Sequence, residues 1–511
     1  MSTIVGATSD VTQAYAPPAD PRGSAQPLRD SRASWRIIPQ IDKNEKIIAY
    51  AQQPLGRIAF LVILTALAMA LNFFRVDISV APLAIACAYA QKFRRYLISL
   101  ATLLLLYKNG FLVDVDLLHR VTEQEGLTTQ INQPALLFGS VALVLLLFSS
   151  LLIVWPRIAT IPAFRHSTAC LISAFVGLVI LAQSPIAQGL TRVLLWSFIA
   201  TLLPYLWFVA YALTDVGNLK RRPFWQHLGV FHPFWGSTLT PFGKGLTYLE
   251  KFDAKTPTEL AITQLKGVKL ACWILILAIC LDGFSRLIHG FFALPMFDDT
   301  FAAYLAGANY PRDLCWASLV AYFIEDVLTM TIWGGSIVVC ARMAGFRLLR
   351  NTYRPLESKT LAQFWNRYYF YYKELLVDHF FYPVFLRCFR SNRKLRMFFA
   401  TFMAACVGNL LFHFIRDIHF VAELGWWNAL SGEASHAFYT VLLAIGVGVS
   451  QMRVQDREQS KGFLRGRALP CLWVTLFFCI LHVFDAPLDR VHSIGQRAGF
   501  LSYLVGIDKW I

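Results

Sequence analysis

Residues 345–413 contain the motifs that decide the fold class: GFRL at 345–348, FWNRYY at 364–369 and NLLFH at 409–413. These motifs place arginine, asparagine, tyrosine and histidine side chains in a region bounded by long apolar runs. A polar group inside a bilayer is costly, so a concentration of such groups usually serves a function. The stretch therefore predicts a membrane protein with a functional site among its helices.

The composition of the whole chain supports the membrane location. Hydrophobic residues make up 56% of the 511 residues and charged residues only 15%, and the mean hydropathy is +0.50. Too little polar surface is available for an ordinary soluble globule. We expect an all-α, polytopic helical bundle, because the period-2 alternation of a membrane barrel is missing from the sequence.

Roughly eleven segments are long and apolar enough to cross a hydrocarbon core of about 30 Å. The clean runs are 58–74, 134–155, 168–190, 194–213, 398–413, 436–452 and 470–484. The less clean runs are 83–107, 268–288, 314–341 and 499–511. The transmembrane domain is thus predicted at 56–511, after a disordered cytoplasmic tail at 1–55 that ends in a short interfacial helix around residues 42–52.

The net charge of +16 comes from 47 basic and 31 acidic residues. The basic residues lie between the apolar runs, where the positive-inside rule places them, so nucleic acid is not an expected partner. The loops 387–396 and 453–467 each contain five basic residues and are predicted to be cytoplasmic. The segment 414–435 has an excess of acidic residues and is predicted to lie outside, flanked by His419 and His436.

The polar interval 214–267 is rich in aromatic residues and proline, with FHPFW at 231–235 and PFG at 241–243. This composition is typical of a segment at the level of the lipid headgroups. An interfacial anchor is the favoured interpretation, and a re-entrant gate is the alternative. The segment 360–386 also mixes aromatic with charged residues, and we expect it at an interface or against a hydrated cavity inside the bundle.

Asn409 and His413 are four residues apart on the next helix and therefore lie on one face. A neutral imidazole at position 413 could take a proton from a hydroxyl group, while Asn409 could donate a hydrogen bond to a developing oxyanion. The alternative is a structural histidine that hydrogen-bonds between helices. Asp417 is the only further ligand at helical spacing and the cysteines form no ligand motif, so no metal site is expected.

A set of spacings across the centre of the chain is similar to the signature of the membrane-bound O-acyltransferase superfamily. The matching residues are Gly345-Phe346-Arg347-Leu348, Asn351, Pro355, Ser358-Lys359, Phe364-Trp365, Arg367, Asp378, Pro383 and His413. They most resemble the bacterial branch that includes the membrane subunit of alginate O-acetylation. The resemblance covers the signature core at 345–415, and the N-terminal half matches only as a set of spans.

The resemblance implies a bundle with a central tunnel or funnel, in which an acyl thioester from the cytoplasm meets an acceptor hydroxyl. The thioester, on coenzyme A or on an acyl carrier protein, is a co-substrate, and no bound cofactor is expected. In this scheme His413 is the general base, with Asn409 and Tyr369 as positioning groups. Substrate-binding residues are expected to include Trp365, Arg367 and Asp378, the last two at the cavity mouth.

The chain departs from the family pattern at the site itself. Tyr369 stands where the branch has its first histidine, and a phenol, with an unperturbed pKa of about 10, is a poor base near neutral pH. The histidine motif at 409–414 lacks the tryptophan before the histidine and the glycine after it that polysaccharide-acetylating members of the family usually have. The family's acidic pair is out of register, and Glu325 and Asp326 are the nearest candidates. They are expected either to face the cavity at the depth of His413 or to lie near an outer helix end.

The expected function is O-acyl transfer, acetyl by default, to a hydroxyl of an envelope glycan or another exported molecule. We expect the protein in the bacterial inner membrane with a cytoplasmic N-terminus, in contact with lipids and with an acyl donor from the cytoplasm. A periplasmic esterase-like partner is a further expectation of the branch. The alternative is a catalytically degenerate member that binds a lipid or a partner protein, or that serves in transport.

Overall fold

The computed structural model describes residues 37–70, 79–158, 166–215, 225–237, 239–308, 310–453, 464–485 and 492–507. In this part of the chain every regular element is helical. An isolated antiparallel bridge between Asp253 and Phe346 is the only β-type pairing there. The all-α fold class is thus confirmed for the described residues.

The helices follow one another closely along the chain. Those of the N-terminal half are Glu45–Ala51, Pro54–Ala70, Val80–Tyr89, Arg94–Lys108, Val115–Gln124, Gln133–Ile158, Ser167–Gln183, Leu190–Leu202, Leu206–Asp215, Trp225–Phe231 and Leu246–Phe252. Those of the C-terminal half are Pro257–Ser285, Phe297–Leu305, Arg312–Met343, Leu361–Tyr368, Phe370–Leu376, Tyr382–Phe385, Arg393–Phe402, Asn409–Arg416, His419–Gly432, Ala434–Arg453, Leu469–Leu481 and Ile494–Val505. Among the segments that join them are π-helical turns at Arg286–Phe291, Val377–Phe381, Met403–Gly408 and Leu464–Ala468.

Six helices in the described ranges are long and apolar enough to cross a membrane, as expected of a membrane protein. They are Leu190–Asp215, Pro257–Phe291, Arg312–Met343, Arg393–Arg416, Ala434–Arg453 and Leu464–Phe484. A further crossing would come from Glu45–Ala51 and Pro54–Ala70, which meet at a bend of 86°. The larger number of roughly eleven spans and the central tunnel stay predictions.

The tail predicted at 1–55 needs a correction at its C-terminal end. Residues 1–36 lie outside the described residues, but a helix forms at Glu45–Ala51 with Asn44 as its side-chain cap. Asp42 pairs with Lys269 at 2.6 Å, and Ala51 is buried in the core. A helix thus forms within the range 42–52, and because it is tied to the bundle, the folded part begins before residue 55. Its expected position at a membrane interface stays a prediction.

The antiparallel helices Arg393–Arg416 and Ala434–Arg453 define two ends of the bundle. Thr401 donates a hydrogen bond to Gln451 at 2.5 Å, close to the start of one helix and the end of the other. The end that carries the basic stretch 387–396 is called the basic end below. The connection at 417–433 lies at the opposite end.

Residues 361–385 enter and leave the bundle at the basic end, and are called the re-entrant segment below. At its start, the backbone N–H of Ala362 donates a hydrogen bond to Ser450 at 3.3 Å. At its other terminus, Arg396 lies over the ring of Phe385 at 4.3 Å. Between these points the helix is broken at Tyr369, which has φ −134° and ψ 81°.

The re-entrant segment lies where three hydrophobic clusters meet. Phe370 and Tyr371 pack into the cluster that contains the N-terminal helices. Leu375 and Leu376 pack into a second cluster, and Phe364 packs into a third. These side chains are all buried. The segment therefore forms part of the core and carries its polar residues into the interior.

The GFRL motif has a structural role. Gly345 has φ +96°, a left-handed conformation that favours glycine. A Cβ atom at this position would also lie 3.0 Å from the guanidinium of Arg94. Phe346 and Leu348 are buried, whereas Arg347 is exposed. The motif thus turns the chain tightly after the helix Arg312–Met343 and inserts two apolar side chains into the core.

Several aromatic side chains of the interval 214–267 are buried and pack inside the bundle. Trp235 and Phe242 are 3% and 1% exposed. The ring of Trp235 lies 5.3 Å from that of Phe346, and Phe242 lies 4.7 Å from Tyr371. The expected interfacial anchor is therefore wrong for these residues. Composition alone does not separate an aromatic surface from an aromatic core.

Candidate active site

The predicted pair Asn409 and His413 begins directly after the π-helical turn Met403–Gly408. Such turns are rare and often occur at functional sites. This one packs against the π-helical turn Val377–Phe381 of the re-entrant segment. The approach is close because Gly408 has no side chain: a Cβ atom there would lie 2.7 Å from the ring of Phe380.

Asn409 is held in one orientation by a tyrosine of the re-entrant segment. The hydroxyl of Tyr372 donates a hydrogen bond to Oδ1 of Asn409 at 2.6 Å, and both side chains are buried. Because its oxygen is engaged, Asn409 keeps its amino group as a hydrogen-bond donor. The expected donor role of Asn409 is compatible with this orientation.

A second histidine lies against His413. The ring centroids of His413 and His436 are 4.2 Å apart, with an interplanar angle of 41°. His436 is in the first turn of the helix Ala434–Arg453, and its ring also stacks on Tyr439 at 5.3 Å. Its Nδ1 atom lies 2.9 Å from Oδ1 of Asp485. Two imidazoles and a carboxylate therefore meet beside Asn409.

The turn that carries Asp485 is anchored by its neighbours. Ser435, next to His436, donates a hydrogen bond to the carbonyl of Phe484 at 3.0 Å. The buried Arg497 donates another to the carbonyl of Val483 at 2.6 Å. These two hydrogen bonds to backbone carbonyls hold the turn in place, and so they fix Asp485 against His436. We call Tyr372, Asn409, His413, His436 and Asp485 the histidine centre.

Of the predicted acidic pair, Asp326 lies near the histidine centre. The hydroxyl of Tyr368 donates a hydrogen bond to Oδ2 of Asp326 at 2.5 Å, and Nε2 of His482 lies 3.4 Å from the same oxygen. Tyr439 lies within electrostatic range of Asp326, and also of Tyr372 and Asp485 in the histidine centre. Asp326 therefore borders the centre without touching His413 in the contacts described.

Glu325 takes a different direction from Asp326. Successive residues of an α-helix point about 100° apart. The carboxylate of Glu325 lies 3.4 Å from Nε2 of His289, whose Nδ1 atom contacts the carbonyl of Leu294 at 2.7 Å. Glu325 thus forms a separate histidine–carboxylate pair, and the expectation that one of the two carboxylates orients the acceptor or His413 stays a prediction.

The remaining residues predicted from FWNRYY lie around the break in the re-entrant segment. Tyr369 packs against Tyr372 at 5.5 Å and Phe242 at 6.2 Å. Trp365 is half-buried between the second and third hydrophobic clusters. The backbone carbonyl of Arg367 accepts a hydrogen bond from Tyr353 at 2.8 Å. Tyr369 thus packs against Tyr372, the tyrosine that donates a hydrogen bond to Asn409.

Asp378 belongs to a separate group of buried charges, which is called the lysine cluster below. Lys244 lies 2.6 Å from Glu374 and 2.8 Å from Asp378, and Lys373 lies 2.6 Å from Glu374. Tyr211 donates a further hydrogen bond to Asp378 at 2.9 Å. In place of the expected position at a cavity mouth, Asp378 is thus an ion-pair partner of Lys244.

One of the two cations of the lysine cluster, Lys244, comes from the loop before the helix Leu246–Phe252. Lys244 has φ +53° and follows Gly243 with φ +127°, so the loop turns sharply to bring the ammonium group inside. Burial lowers the pKa of Lys244, but the carboxylates of Asp378 and Glu374 outweigh this effect and hold the pKa above its usual range. Lys244 is therefore charged at neutral pH.

Sequence reasoning missed His436, Asp485, Tyr372 and the lysine partners of Asp378. A signal for the first two was present: His436 opens the apolar run 436–452, and Asp485 directly follows the run 470–484. Both positions lie at the helix ends opposite the basic loops, which is the level of His413. Among the described residues, no group of three or more histidine, cysteine, aspartate or glutamate side chains is arranged to hold a metal ion.

Comparison with known proteins adds no family assignment. No protein-family model matches the chain, and no curated protein is significantly similar to it in sequence.

Proposed function

We propose that the protein is a membrane-bound O-acyltransferase with the histidine centre as its reactive site. It would transfer an acyl group, acetyl by default, from a thioester on coenzyme A or an acyl carrier protein to a hydroxyl group. The acceptor is an envelope glycan or another exported molecule. The general base is a histidine of the centre, and His413 is the residue that the sequence predicts for this role.

The observation that supports this reaction most strongly is the geometry around Asn409. Acyl transfer to an alcohol requires a neutral imidazole that takes the hydroxyl proton and a donor that stabilises the oxyanion. Asn409, oriented by Tyr372, supplies an amide donor, and His413 is one helical turn away. Both lie within an apolar bundle, where a hydrogen bond to a developing charge is stronger than in water.

The proposed orientation follows from the basic end. In this orientation the stretch 387–396 is in the cytoplasm of the bacterial cell and the protein in its inner membrane. The proposal also keeps the expected cytoplasmic N-terminus. His436 and Asp485 then lie toward the outside, at the first and last turns of their helices. The acceptor would approach from the outside and the thioester from the cytoplasm, and a periplasmic esterase-like partner would meet the acceptor there.

A comparison of cell envelopes tests the proposal. Ester-linked acyl groups would be released by mild alkali from envelope extracts of cells that contain the wild-type protein, His413→Ala or no protein. We expect the released acyl groups only with the wild type, while immunoblots show equal amounts of both proteins in the membrane. Equal acyl release from all three would overturn the proposal for envelope acceptors and favour a binding or transport role.

A further inference from the structure

The contact between His436 and Asp485 settles which nitrogen of His436 carries a proton. The Nδ1 atom faces a carboxylate oxygen at 2.9 Å, and only a protonated nitrogen can donate to a carboxylate. In the neutral imidazole the lone pair is then on Nε2. This Nε2 atom is buried and has no hydrogen-bond partner among the described residues. His436 thus has the arrangement of a histidine base that is oriented by a carboxylate.

The two imidazoles lie at helix ends of opposite polarity. His436 is in the first turn of Ala434–Arg453, where the helix dipole disfavours a positive charge. His413 is in the last turn of Asn409–Arg416, where the dipole favours a positive charge. The two rings also lie close together, with centroids 4.2 Å apart, so that a proton can pass between them. The positions at the helix ends therefore favour the acid role for His413 and the base role for His436.

We propose that the two histidines divide the proton transfers of the acyltransferase reaction, with His436 as the general base for the acceptor hydroxyl and His413 as the general acid for the leaving thiolate. This inference rests on the proposed function and assigns a catalytic role to His436 that the sequence did not suggest. Asp485 is the positioning residue of the base.

The steps balance as follows. The hydroxyl proton of the acceptor moves to Nε2 of His436 while the oxygen forms a bond with the thioester carbonyl carbon. The C–S bond then breaks, and the sulfur takes a proton from His413, which gives an ester and a free thiol. Asp485 stabilises the imidazolium of His436 after the first step. The proton of His436 then passes to His413, and the centre returns to its starting state.

The charged groups around the pair are compatible with this division. Arg416 forms an ion pair with Asp417 at 2.7 Å at the end of the helix that carries His413. Tyr372 faces the pair from the re-entrant segment, and Tyr439 stacks on His436 from its own helix. Asp485 is in direct contact with His436.

Thioesters with different leaving groups separate the two roles. The full-length protein in lipid nanodiscs would receive acetyl-coenzyme A or S-phenyl thioacetate, with an envelope extract as the acceptor, and both ester formation and thiol release would be measured. An aryl thiolate leaves without a proton more readily than an alkyl thiolate does. A variant that lacks the acid is therefore rescued by the aryl thioester, whereas a variant that lacks the base is not.

The variants are His436→Gln, Asp485→Asn, Asp485→Glu and His413→Gln. We expect His436→Gln and Asp485→Asn to lower kcat by about 100-fold or more with both donors, since positioned acid–base groups contribute about that much. Asp485→Glu is expected to recover part of the loss. The rate of His413→Gln is expected to fall steeply with acetyl-coenzyme A and much less with S-phenyl thioacetate.

His289→Gln is the matched control. His289 also contacts a carboxylate, and its side chain is 12% exposed, as is that of His436. The activity of this variant should stay within about twofold of wild type, since it lies outside the centre. Size-exclusion profiles and thermal unfolding would show that every variant is folded, and Asp485→Asn tests the base even if His436→Gln does not fold.

The outcomes separate this inference from the proposed function. If His436→Gln and Asp485→Asn keep wild-type rates while His413→Gln is inactive with both donors, His413 acts alone, and the division of roles is overturned. Rescue of His436→Gln by the aryl thioester would overturn it as well, because it would reverse the roles. A wild-type protein that forms no ester from either donor would contradict the proposed function itself.

Discussion

The histidine centre and the lysine cluster both include residues of the re-entrant segment, but their polar groups are paired in different ways. In the lysine cluster two ammonium groups face two carboxylates at 2.6 to 2.8 Å, and the formal charges sum to zero. In the histidine centre no ammonium or guanidinium group is included, and the buried Nε2 atom of His436 meets no partner in the described part of the chain.

This difference indicates a division of labour along one segment. Charges that are buried and mutually paired are costly to separate, so they hold their helices in a fixed position. A buried proton acceptor that is not engaged can take a proton from a substrate. The lysine cluster therefore fixes the re-entrant segment, whereas the histidine centre is the part to which we assign the proposed reaction. Asp378, for which the sequence predicts substrate binding, belongs to the structural side of this comparison.

Removal of the Lys244 ammonium group from the lysine cluster gives the largest expected effect on stability. Lys244→Met leaves Glu374 and Asp378 with less compensating charge, and breaking a buried ion pair costs about 3–5 kcal/mol. Thermal unfolding in nanodiscs should show a clearly lower Tm. The exposed Lys251 is the matched control, and Lys251→Met should stay within about 0.5 kcal/mol of wild type.

A double-mutant cycle sharpens this prediction. In Lys244→Met/Asp378→Asn one unpaired carboxylate is neutralised, so the double variant should be more stable than the sum of the two single losses predicts. A double variant whose loss equals that sum would mean that Lys244 and Asp378 do not interact, and the lysine cluster would then not be a unit.

The close contact of the two π-helical turns gives the second effect. Gly408→Ala would place a Cβ atom 2.7 Å from the ring of Phe380 and 3.2 Å from Leu376, and such overpacking typically costs about 1–3 kcal/mol. We expect a lower Tm together with lower acyl transfer, because Asn409 is the next residue. Phe380→Leu in the same protein should restore part of both.

Gly177 in the helix Ser167–Gln183 provides the control for this substitution. No atom lies within 4 Å of a Cβ built there. Gly177→Ala should leave activity unchanged and raise stability slightly, by up to about 1 kcal/mol, since alanine has the higher helix propensity. If Gly408→Ala behaves in the same way, the contact between the turns does not constrain the site.

The smallest effect is expected for the hydroxyl that orients Asn409. Tyr372→Phe removes one hydrogen bond and leaves Oδ1 of Asn409 buried without it, which costs about 1–3 kcal/mol at most. Ester formation should fall because the Asn409 amide is no longer held in place. Tyr205→Phe is the control: its hydroxyl also donates a buried hydrogen bond, to the carbonyl of Phe111 at 2.7 Å, and only its stability should fall.

Much of the framework could be predicted from the sequence because it depends on local patterns. Long apolar runs predict helices, and the spacing of Asn409 and His413 places both on one face whatever surrounds them. The turn at Gly345 is also a local property, since a left-handed conformation favours glycine. The depth of the acidic pair along its helix suggested that Glu325 or Asp326 could lie at the level of His413, but it did not distinguish the two.

The contacts that complete the centre could not be predicted in this way because they depend on how helices pack. Tyr372 and Asn409 are 37 positions apart, and His436 and Asp485 are 49 positions apart. The break at Tyr369 decides which tyrosine reaches Asn409, and no turn residue marks that break. Lys244 reaches Asp378 only because an unusual loop folds inward.

Transfer of labelled acetyl groups in inverted membrane vesicles tests the central claim most directly. The vesicles would contain the wild-type protein, His413→Ala or Lys251→Met. Labelled acetyl-coenzyme A would be added outside the vesicles, where inversion exposes the cytoplasmic face of the membrane. We predict alkali-labile label on an acceptor with the wild type and with Lys251→Met, and only background label with His413→Ala. Equal label with His413→Ala and the wild type, or background label with all three, would contradict acyl transfer at the histidine centre.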